Sequence, residues 1–248
     1  MREQAGPEGG GVALFDLDGT LLPWDMQLLF CNYVLRRRPL RRLYLFFFLP
    51  ALPFAPLLGP ARLKRVFLSF LWGMRRERLT ELVEGFVAQH VPDAFYGEVL
   101  EEAARERARG RRTVLISASP EFYVAPVGEA LRFDFAFGTR VEFGDSVPLF
   151  PKFRGGNNKH AAKVSRLREE LGIRTGGIIP DSAGYSDSMA DQPMLQLCEE
   201  KTVIHPEGEL QALAERRGWR SLRPPRPYRD RRAFLWRCAK QVCGMDKQ

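Results

Sequence analysis

The feature that most constrains this chain is a short apolar run that ends in a pair of aspartates. Val12–Phe15 (VALF) carries no charge, which is typical of a strand buried on both faces of a parallel sheet. Asp16 and Asp18 follow it two positions apart, so both carboxylates can face the crevice at the carboxyl edge of such a sheet. Gly19 then allows the backbone to turn away.

Further apolar runs alternate with segments of helical periodicity. Residues 113–117 (TVLIS) form the second run, and a third lies within GGIIPDSAGYSD, before Asp187. Helical repeats are formed by Leu79, Leu82, Val83, Phe86 and Val87, and by Ala162, Leu167 and Leu171. Strands that alternate with helices predict an α/β fold with a parallel sheet covered on both faces. We also expect a small hairpin around Gly144 and Asp145, and one more strand and helix in TVIHPEGELQALAERRGW.

Polar side chains follow these runs at the positions where a parallel sheet presents a site. Ser117 ends the second run, Asp187 follows the third, and Asp191 comes one helical turn later. Lys163 lies near the start of a predicted helix. Taken singly, such residues are usually structural or solvated, and it is their order along the strands that favours a site.

The paired aspartates suit phosphoryl transfer. One carboxylate can attack phosphorus, while its protonated neighbour supplies a proton to the departing alkoxide. A phosphate dianion repels a carboxylate, so this chemistry needs a hard cation with oxygen ligands and, preferably, a lysine beside it.

Four segments resemble the four motifs of the haloacid dehalogenase superfamily: FDLDGT, LISAS, KVSRLREEL and YSDSMADQP. The resemblance implies a Rossmann-like parallel core and a phosphatase that works through an aspartyl-phosphate with Mg²⁺. It implies that Asp16 is the nucleophile and Asp18 the general acid and base, and it assigns phosphate binding to Ser117 and Lys163. The implied metal ligands are Asp16, the main-chain carbonyl of Asp18 and Asp187. Asp191 is implied to be the acid that supports them.

The third motif leaves two lysines open. Lys159 is the alternative to Lys163, and the continuation KVSRLREEL favours Lys163. Members of this branch of the superfamily tend to have a glycine three residues before the lysine, where this chain has His160. A histidine at such a position is more often a loop residue than a catalytic group.

The chain divides into a core and one insertion. In the phosphoserine phosphatase-like branch (subfamily IB), the segment between the first two motifs forms a helical cap over the site. The resemblance therefore implies a core of residues 11–24 and 109–219 and a cap of residues 25–108. Residues 220–248 begin with RSLRPPRPYRDRR, whose proline and arginine content predicts a basic tail that leaves the core.

An uncharged apolar segment, residues 43–59, lies inside the predicted cap. It contains three prolines, which would break an ordinary buried helix, and basic residues flank it on both sides. A single membrane crossing would separate Asp16 from Lys163, and two crossings need roughly 40 apolar residues, more than the chain offers here. We therefore expect a hairpin or broken helix that dips into one leaflet, with a buried cap helix as the alternative. The basic flanks favour anionic head groups on the cytoplasmic side.

The composition narrows the choice of partners. The net charge of +8 and the pI near 9.6 favour an anionic partner. The arginines cluster beside apolar segments and not among aromatic residues that would stack on bases, so we expect no nucleic acid. Four dispersed cysteines match no zinc pattern and indicate a reducing cytosol. The N-terminus contains no apolar stretch that could serve as a secretory signal.

The motifs and the cap together predict a phosphatase of membrane lipids. The runs FLWG, ISASP and GYSDS, with the proline-containing apolar segment, resemble the phosphatidylglycerophosphatase C family. That resemblance implies removal of the terminal phosphate of phosphatidylglycerol phosphate at the cytoplasmic face of a bacterial inner membrane. The partners would be an anionic phospholipid surface and a phosphorylated lipid substrate. The alternatives are a phosphoserine phosphatase-like enzyme of the cytoplasm, acting on a soluble metabolite, and a non-catalytic membrane-binding module.

Overall fold

A seven-stranded sheet forms the centre of the molecule. The computed structural model describes residues 10–91, 93–173 and 177–247. The strands are β1 (Val12–Phe15), β2 (Arg112–Pro120), β3 (Phe135–Glu142), β4 (Lys152–Arg154), β5 (Ile179–Ser186), β6 (Cys198–Ile204) and β7 (Arg220–Leu222). Their order is β4-β3-β2-β1-β5-β6-β7, and every neighbouring pair is parallel except β3 and β4. The predicted α/β fold with a parallel sheet is confirmed.

Helices lie on both faces of the sheet and form the cap. The helices of the described chain are α1 (Met26–Arg37), α2 (Leu45–Ala51), α3 (Ala55–Phe67), α4 (Arg76–His90), α5 (Gly97–Ala108), α6 (Glu121–Ala130), α7 (Ala161–Leu171), α8 (Gln192–Leu195), α9 (Gly208–Arg217) and α10 (Arg231–Val242). Ala13 and Phe15 face an apolar cluster shared with the cap, whereas Val12 and Leu14 face a second cluster that includes Leu167 of α7. Strand β1 therefore has no exposed face, which explains its lack of charge.

The strand order reverses at β1. This strand lies between β2 and β5, so that Phe15 is level with Leu115 on one side and Tyr185 on the other. The residues just beyond these three positions therefore meet at one point of the carboxyl edge. Ligand crevices of open α/β sheets form where the strand order reverses in this way.

The cap is held by aromatic packing between its helices. Phe30 of α1 meets Phe86 of α4 edge to face, with 5.2 Å between the ring centroids. Helix α5, which the sequence analysis assigned to the cap, is tied to the sheet instead. Arg111, which immediately precedes β2, donates to Glu106 of α5 at 2.8 Å, and both side chains are buried. This ion pair attaches α5 to the sheet, and the cap boundary at residue 108 stays a prediction.

Residues 43–59 form a broken helix on the outside of the cap. Pro50 lies inside α2, and Gly59 interrupts α3 with φ of 72° and ψ of 165°. Tyr44 and Phe48 are buried and anchor the segment. The large apolar side chains that remain exposed are Leu43, Phe46, Phe47, Leu49, Leu52, Phe54 and Leu57. Within the described ranges, one helical run, Pro39–Leu71, is long and apolar enough to cross a membrane, and 11% of its most apolar window is buried.

The region predicted as an exposed basic tail is packed against the rest of the protein. Arg220–Leu222 pairs with β6 at the edge of the sheet. Helix α10 lies against α1, and the Asn32 side chain donates to the main-chain oxygen of Asp246 at 3.1 Å. The hydroxyl of Tyr44 donates to the carbonyl of Val242 at 2.6 Å. Residues 220–222 and the α10 region are therefore in contact with the sheet and the cap.

Aromatic residues explain why this basic region packs. Trp24 stacks on Phe234, with 5.8 Å between the ring centroids. The guanidinium of Arg237 lies 4.2 Å from the centroid of the same Trp24 ring. A long basic side chain can cover apolar surface while its charge stays near water, so the arginine content did not indicate exposure.

The predicted hairpin is wider than expected. Strands β3 and β4 are antiparallel, and Val141 pairs with Phe153. Gly144 and Asp145, expected at a tight turn, lie in the connection between the two strands.

Candidate active site

Asp16 lies immediately after β1, where the strand order reverses. Its amide donates to the carbonyl of Tyr185 at 3.0 Å, so the pairing with β5 continues through this residue. The residue is 6% exposed. The first aspartate of the motif is thus fixed at a nearly closed point of the carboxyl edge.

Lys163 joins Asp16 to Asp191. It stands in the first turn of α7, and its ammonium group donates to the Asp16 carboxylate. The same Nζ atom lies 2.8 Å from Oδ1 and 2.9 Å from Oδ2 of Asp191, whose Oδ2 also accepts from the Ser186 hydroxyl at 2.8 Å. Lys163 is buried and Lys159 is exposed. The structure therefore brings Lys163, and not Lys159, to the aspartates.

A hydroxyl links Asp16 to Asp187. Thr20 Oγ1 lies 3.2 Å from an oxygen of each carboxylate and accepts from the Asp187 amide at 3.0 Å. Its single proton can serve only one carboxylate at a time. Gly19 has φ of +83°, and a Cβ there would come within 2.1 Å of Asp187 Oδ2. Glycine is therefore required for the aspartates that follow β1 and β5 to face the same small space.

Asp18 is held by three donors. The Met26 amide donates to Oδ1 at 2.7 Å, and the hydroxyls of Ser117 and Ser119 donate to Oδ2 at 3.1 Å and 2.9 Å. Burial and the charge of Asp25 raise the pKa of Asp18 to about 6, against the opposing effect of the hydrogen bonds. Ser117, predicted to bind phosphate, thus lies beside a carboxyl group that titrates close to neutral pH.

Burial also governs the charges of the other groups. It raises the pKa of Asp16 to about 7 and that of Asp187 to about 8, and repulsion between nearby carboxylates adds to the effect. Burial acts to lower the pKa of Lys163, but the carboxylates of Asp16 and Asp191 outweigh it and raise that pKa. Lys163 is therefore a fixed cation among acids that resist ionisation.

The donor set at Asp16 and Asp187 fits a magnesium ion. Carboxylate oxygens are the hard donors that Mg²⁺ prefers, and a divalent cation between these two groups would relieve their repulsion. Among the described residues, no group of three or more His, Cys, Asp or Glu side chains stands together as a metal site. The metal ligands predicted from the sequence are two such side chains, those of Asp16 and Asp187, together with the main-chain carbonyl oxygen of Asp18.

Four polar residues of the site were not predicted from the sequence. Thr20, Ser119 and Ser186 lie inside the motif segments, within two positions of a predicted residue, and that proximity was the available indication. No sequence feature indicated Asn158, because it comes from the loop before α7. Its side chain donates to the carbonyl of Ser117 at 2.9 Å, while its buried Oδ1 has no partner among the described residues.

A cation of the cap also reaches the site. Lys64 of α3 donates to the carbonyl of Ala118 at 2.8 Å and to Asn157 Oδ1 at 3.1 Å. Ala118 lies between the two serines that hold Asp18. Helix α3 is therefore attached to the end of β2, which positions the second aspartate.

His160 precedes α7 in a conformation that favours glycine. Its φ is 53° and its ψ is −130°, a region that non-glycine residues seldom adopt. Its carbonyl accepts from the amide of Lys163 at 3.2 Å. The strained residue therefore starts the helix that carries the lysine of the site.

A family model decides what kind of protein this is. The model of the haloacid dehalogenase-like hydrolases matches residues 13–196, a range that contains every group described above. The chain belongs to the haloacid dehalogenase-like hydrolase family. The predicted superfamily is thereby confirmed. Phosphatases of this family generally use Mg²⁺.

This haloacid dehalogenase-like hydrolase is similar to several bacterial proteins. It is 29% identical over 136 residues to the protein CicA of Caulobacter vibrioides. This match covers 54% of this chain and 58% of CicA. It is 28% identical over 214 residues to the phosphoserine phosphatase SerB1 of Mycobacterium tuberculosis, which covers 84% of this chain and 69% of SerB1. The match to CicA thus spans less than two thirds of that protein.

Solved structures share the fold of the hydrolase. A Bordetella pertussis protein of unknown function superposes with a TM-score of 0.73 at 24% identity, covering 87% of this chain and 99% of that one. A probable phosphoserine phosphatase of Vibrio cholerae superposes with a TM-score of 0.61 at 16% identity, covering 87% of this chain and 61% of that one. The α/β fold predicted for the core is therefore shared with these structures.

Proposed function

We propose that this hydrolase is a magnesium-dependent phosphatase that cleaves phosphomonoesters through an aspartyl-phosphate. The contact between Lys163 and Asp16 carries the proposal. A phosphate dianion is repelled by a carboxylate, and an ammonium group held against that carboxylate offsets the repulsion where little water is present. The raised pKa of Lys163 keeps the group charged throughout the reaction.

The two motif aspartates divide the chemistry between them. An oxygen of Asp16 attacks phosphorus, and the bond from phosphorus to the leaving oxygen breaks. Asp18 gives its proton to the leaving alkoxide and later takes one from the water that hydrolyses the aspartyl-phosphate. Its pKa of about 6 suits both tasks near neutral pH.

The surrounding groups hold the phosphate and the lysine. Ser117 lies against Asp18, where its hydroxyl can turn to donate to a phosphate oxygen. Asp191 and its hydrogen bond from Ser186 hold the lysine in place. Asp16, Asp187 and the carbonyl of Asp18 would hold Mg²⁺, which when bound neutralises charge on the phosphate.

We further propose that the substrate is a phosphomonoester carried by a lipid, with phosphatidylglycerol phosphate as the leading candidate. Phe46 and Leu57 are 75% and 82% exposed, and soluble proteins seldom expose contiguous apolar patches. Asp16 and Lys163 precede and follow the segment yet are in contact, so its ends lie on one side of a membrane. The segment would dip into the cytoplasmic face of a bacterial inner membrane and bring the site to anionic lipid head groups.

A soluble phosphomonoester such as phosphoserine is the second candidate. The similarity to SerB1, which is a phosphoserine phosphatase by name, favours it. The exposed apolar side chains would then have no part in substrate recognition. A non-catalytic membrane-binding module has less support, because the buried contacts of Asp16 and Lys163 serve no purpose in membrane attachment.

Phosphate release from three substrates tests the chemistry and the substrate together. The substrates are phosphatidylglycerol phosphate in mixed micelles, phosphoserine and an aryl phosphate, each assayed with Mg²⁺. Preference for the lipid supports the leading candidate, and preference for phosphoserine supports the second. Asp16→Asn should abolish release from all three without unfolding the protein, because the amide is nearly isosteric and a poor nucleophile. Wild-type turnover in this variant would disprove the mechanism.

Vesicle binding tests the apolar segment separately. Leu57→Ser should weaken binding to anionic vesicles, measured by sedimentation, by about tenfold to a hundredfold, since burial of a leucine side chain contributes about 1.5–3 kcal/mol. Ile178→Ser is the matched control, because Ile178 is 56% exposed and lies outside the cap. Equal binding by both variants would show that the segment does not enter the membrane.

A further inference from the structure

An arginine-lined cleft lies on the cap, outside the active site. Its volume is about 670 Å³, and residues between Arg38 and Glu81 form its walls. The arginines are Arg38, Arg41, Arg75 and Arg78. Neither the motif residues nor their hydrogen-bond partners line it, so the phosphatase chemistry does not account for it.

One guanidinium of the cleft is held in a fixed position. Arg41 donates to the carbonyl of Phe70 at 2.8 Å and to that of Trp72 at 2.9 Å, which ties the residues before the apolar segment to those after it. Burial and the neighbouring charge of Arg38 lower the pKa of Arg41. The two cations therefore repel each other, and an anion between them would relieve that repulsion.

The remaining charges of the cleft leave an excess of cations. Arg78 is paired with Glu81, which cancels both charges, while Glu77 also lines the cleft and opposes an anion. Among the described residues, Arg38 and Arg75 have no acidic partner within ion-pair distance. Three cations thus face one unpaired carboxylate.

Apolar side chains stand beside the cleft. Leu40, between two of its arginines in sequence, is 83% exposed, and Trp72, next to its wall residue Gly73, is 56% exposed. Tryptophan favours the boundary between head groups and acyl chains. The cleft therefore combines groups that bind a phosphate with groups that contact the apolar part of a lipid.

We propose that this cleft binds the phosphate of an anionic phospholipid head group as a second site, apart from the active site. Arginine presents two parallel N–H donors to phosphate oxygens, which lysine cannot do. A head group held by Arg38 and Arg75 would fix the cap on the membrane without entering the catalytic crevice. A free phosphate ion shares the chemistry, so the test separates the two sources.

Three double variants of the whole chain test the site. Arg38→Gln with Arg75→Gln removes two charges, whereas Arg38→Lys with Arg75→Lys keeps them and removes the paired donors. The matched control is Arg216→Gln with Arg217→Gln, which removes two exposed charges from α9 of the core. Binding to phosphatidylcholine vesicles with and without phosphatidylglycerol is measured by co-sedimentation.

The glutamine variant should bind the anionic vesicles about 30-fold more weakly, as expected when two basic residues leave a membrane surface. The lysine variant should also bind several-fold more weakly, and the α9 control should match wild type. A lysine variant that binds like wild type would overturn the proposal, because diffuse charge would then suffice. Equal losses in all three variants would overturn it as well.

Calorimetric titration with inorganic phosphate identifies the source of the anion. If the lysine variant binds one phosphate ion fewer than wild type, the cleft binds the free ion. If the lysine variant differs from wild type only in vesicle binding, the bound anion is the lipid head group. Aryl phosphate turnover should stay at the wild-type level in all three variants. Failure of the cleft proposal would therefore leave the phosphatase proposal intact.

Discussion

Replacement of Lys163 by methionine tests the centre of the proposed site. The lysine side chain is 2% exposed, and its ammonium contacts Asp16 and Asp191. Methionine fills a similar volume, so Lys163→Met removes the charge while it keeps most of the packing. Lys159→Met is the matched control, because Lys159 is exposed and lies only one helical turn away in sequence.

The expected magnitude follows from burial. Removal of one partner from a buried ion pair costs about 3–5 kcal/mol, since the remaining charge is left without compensation. For a chain of this size, each kcal/mol lowers the melting temperature by about 2–4 °C. We therefore expect Lys163→Met to melt about 6–20 °C below wild type at pH 8. Turnover should fall by about a hundredfold or more, as when a charge-stabilising group is removed from an active site.

The pH dependence of this loss separates charge from packing. The folded-state pKa values of Asp16 and Asp187, about 7 and about 8, lie above the values of these groups in an unfolded chain. Without the lysine these two pKa values rise further. The folded variant is therefore destabilised as the pH increases, because its aspartates must lose their protons without a nearby cation. The deficit in melting temperature should therefore be small at pH 5 and grow toward pH 8.

Differential scanning calorimetry at pH 5 and pH 8, together with phosphate release at pH 7, completes the experiment. Lys159→Met should behave like wild type in each measurement. An equal deficit at both pH values would mean that lost packing, not charge, explains the effect. Loss of turnover in Lys159→Met with normal turnover in Lys163→Met would refute the assignment of the lysine.

Two further predictions concern the metal and His160. Without a metal, the raised pKa values of Asp16 and Asp187 make the protein more stable in acid, and this stability is lost from about pH 4 to about pH 8. Mg²⁺ should therefore raise the melting temperature more at pH 8 than at pH 5 in a thermal-shift titration, and an equal rise at both would contradict these values. His160→Gly should raise the free energy of unfolding, measured in urea, by about 1 kcal/mol, because it relieves a left-handed conformation. His160→Ala should give no such gain, and an equal gain in both variants would locate the effect in the side chain.

The parts of the fold that the sequence predicts are those where local pattern and chemistry coincide. Val12–Phe15 is apolar because both of its faces are buried, and Asp16 follows it because the strand ends at a crevice. Asp187 stands in the same relation to β5. In such segments a short window of sequence contains both the strand and the residue that it presents.

The parts that the sequence did not predict depend on distant partners. Glu102 pairs with Arg220 at 2.7 Å across 118 positions, and this contact fixes α5 and the start of β7 to one side of the sheet. Asn158 contacts the carbonyl of Ser117 from a loop without periodicity. A segment rich in arginine and proline is typical of an exposed tail, and only the aromatic partner shows that it packs. Arg237, which lies over the Trp24 ring, is an example. Local composition contains no information about such pairings.

The attachment of α10 to α1 has a consequence for synthesis on the ribosome. Asn32 exchanges two hydrogen bonds with Asp246, and Tyr44, which anchors the apolar segment, donates to Val242. These partners emerge from the ribosome some 200 positions after the residues that need them, so the base of the cap stays open during most of translation. A chain interrupted before α10 would contain every catalytic group and still present an unfinished cap beside exposed phenylalanines. We therefore expect the nascent chain to stay open to chaperones and proteases until α10 is complete, even though the residues of the proposed site have already been made.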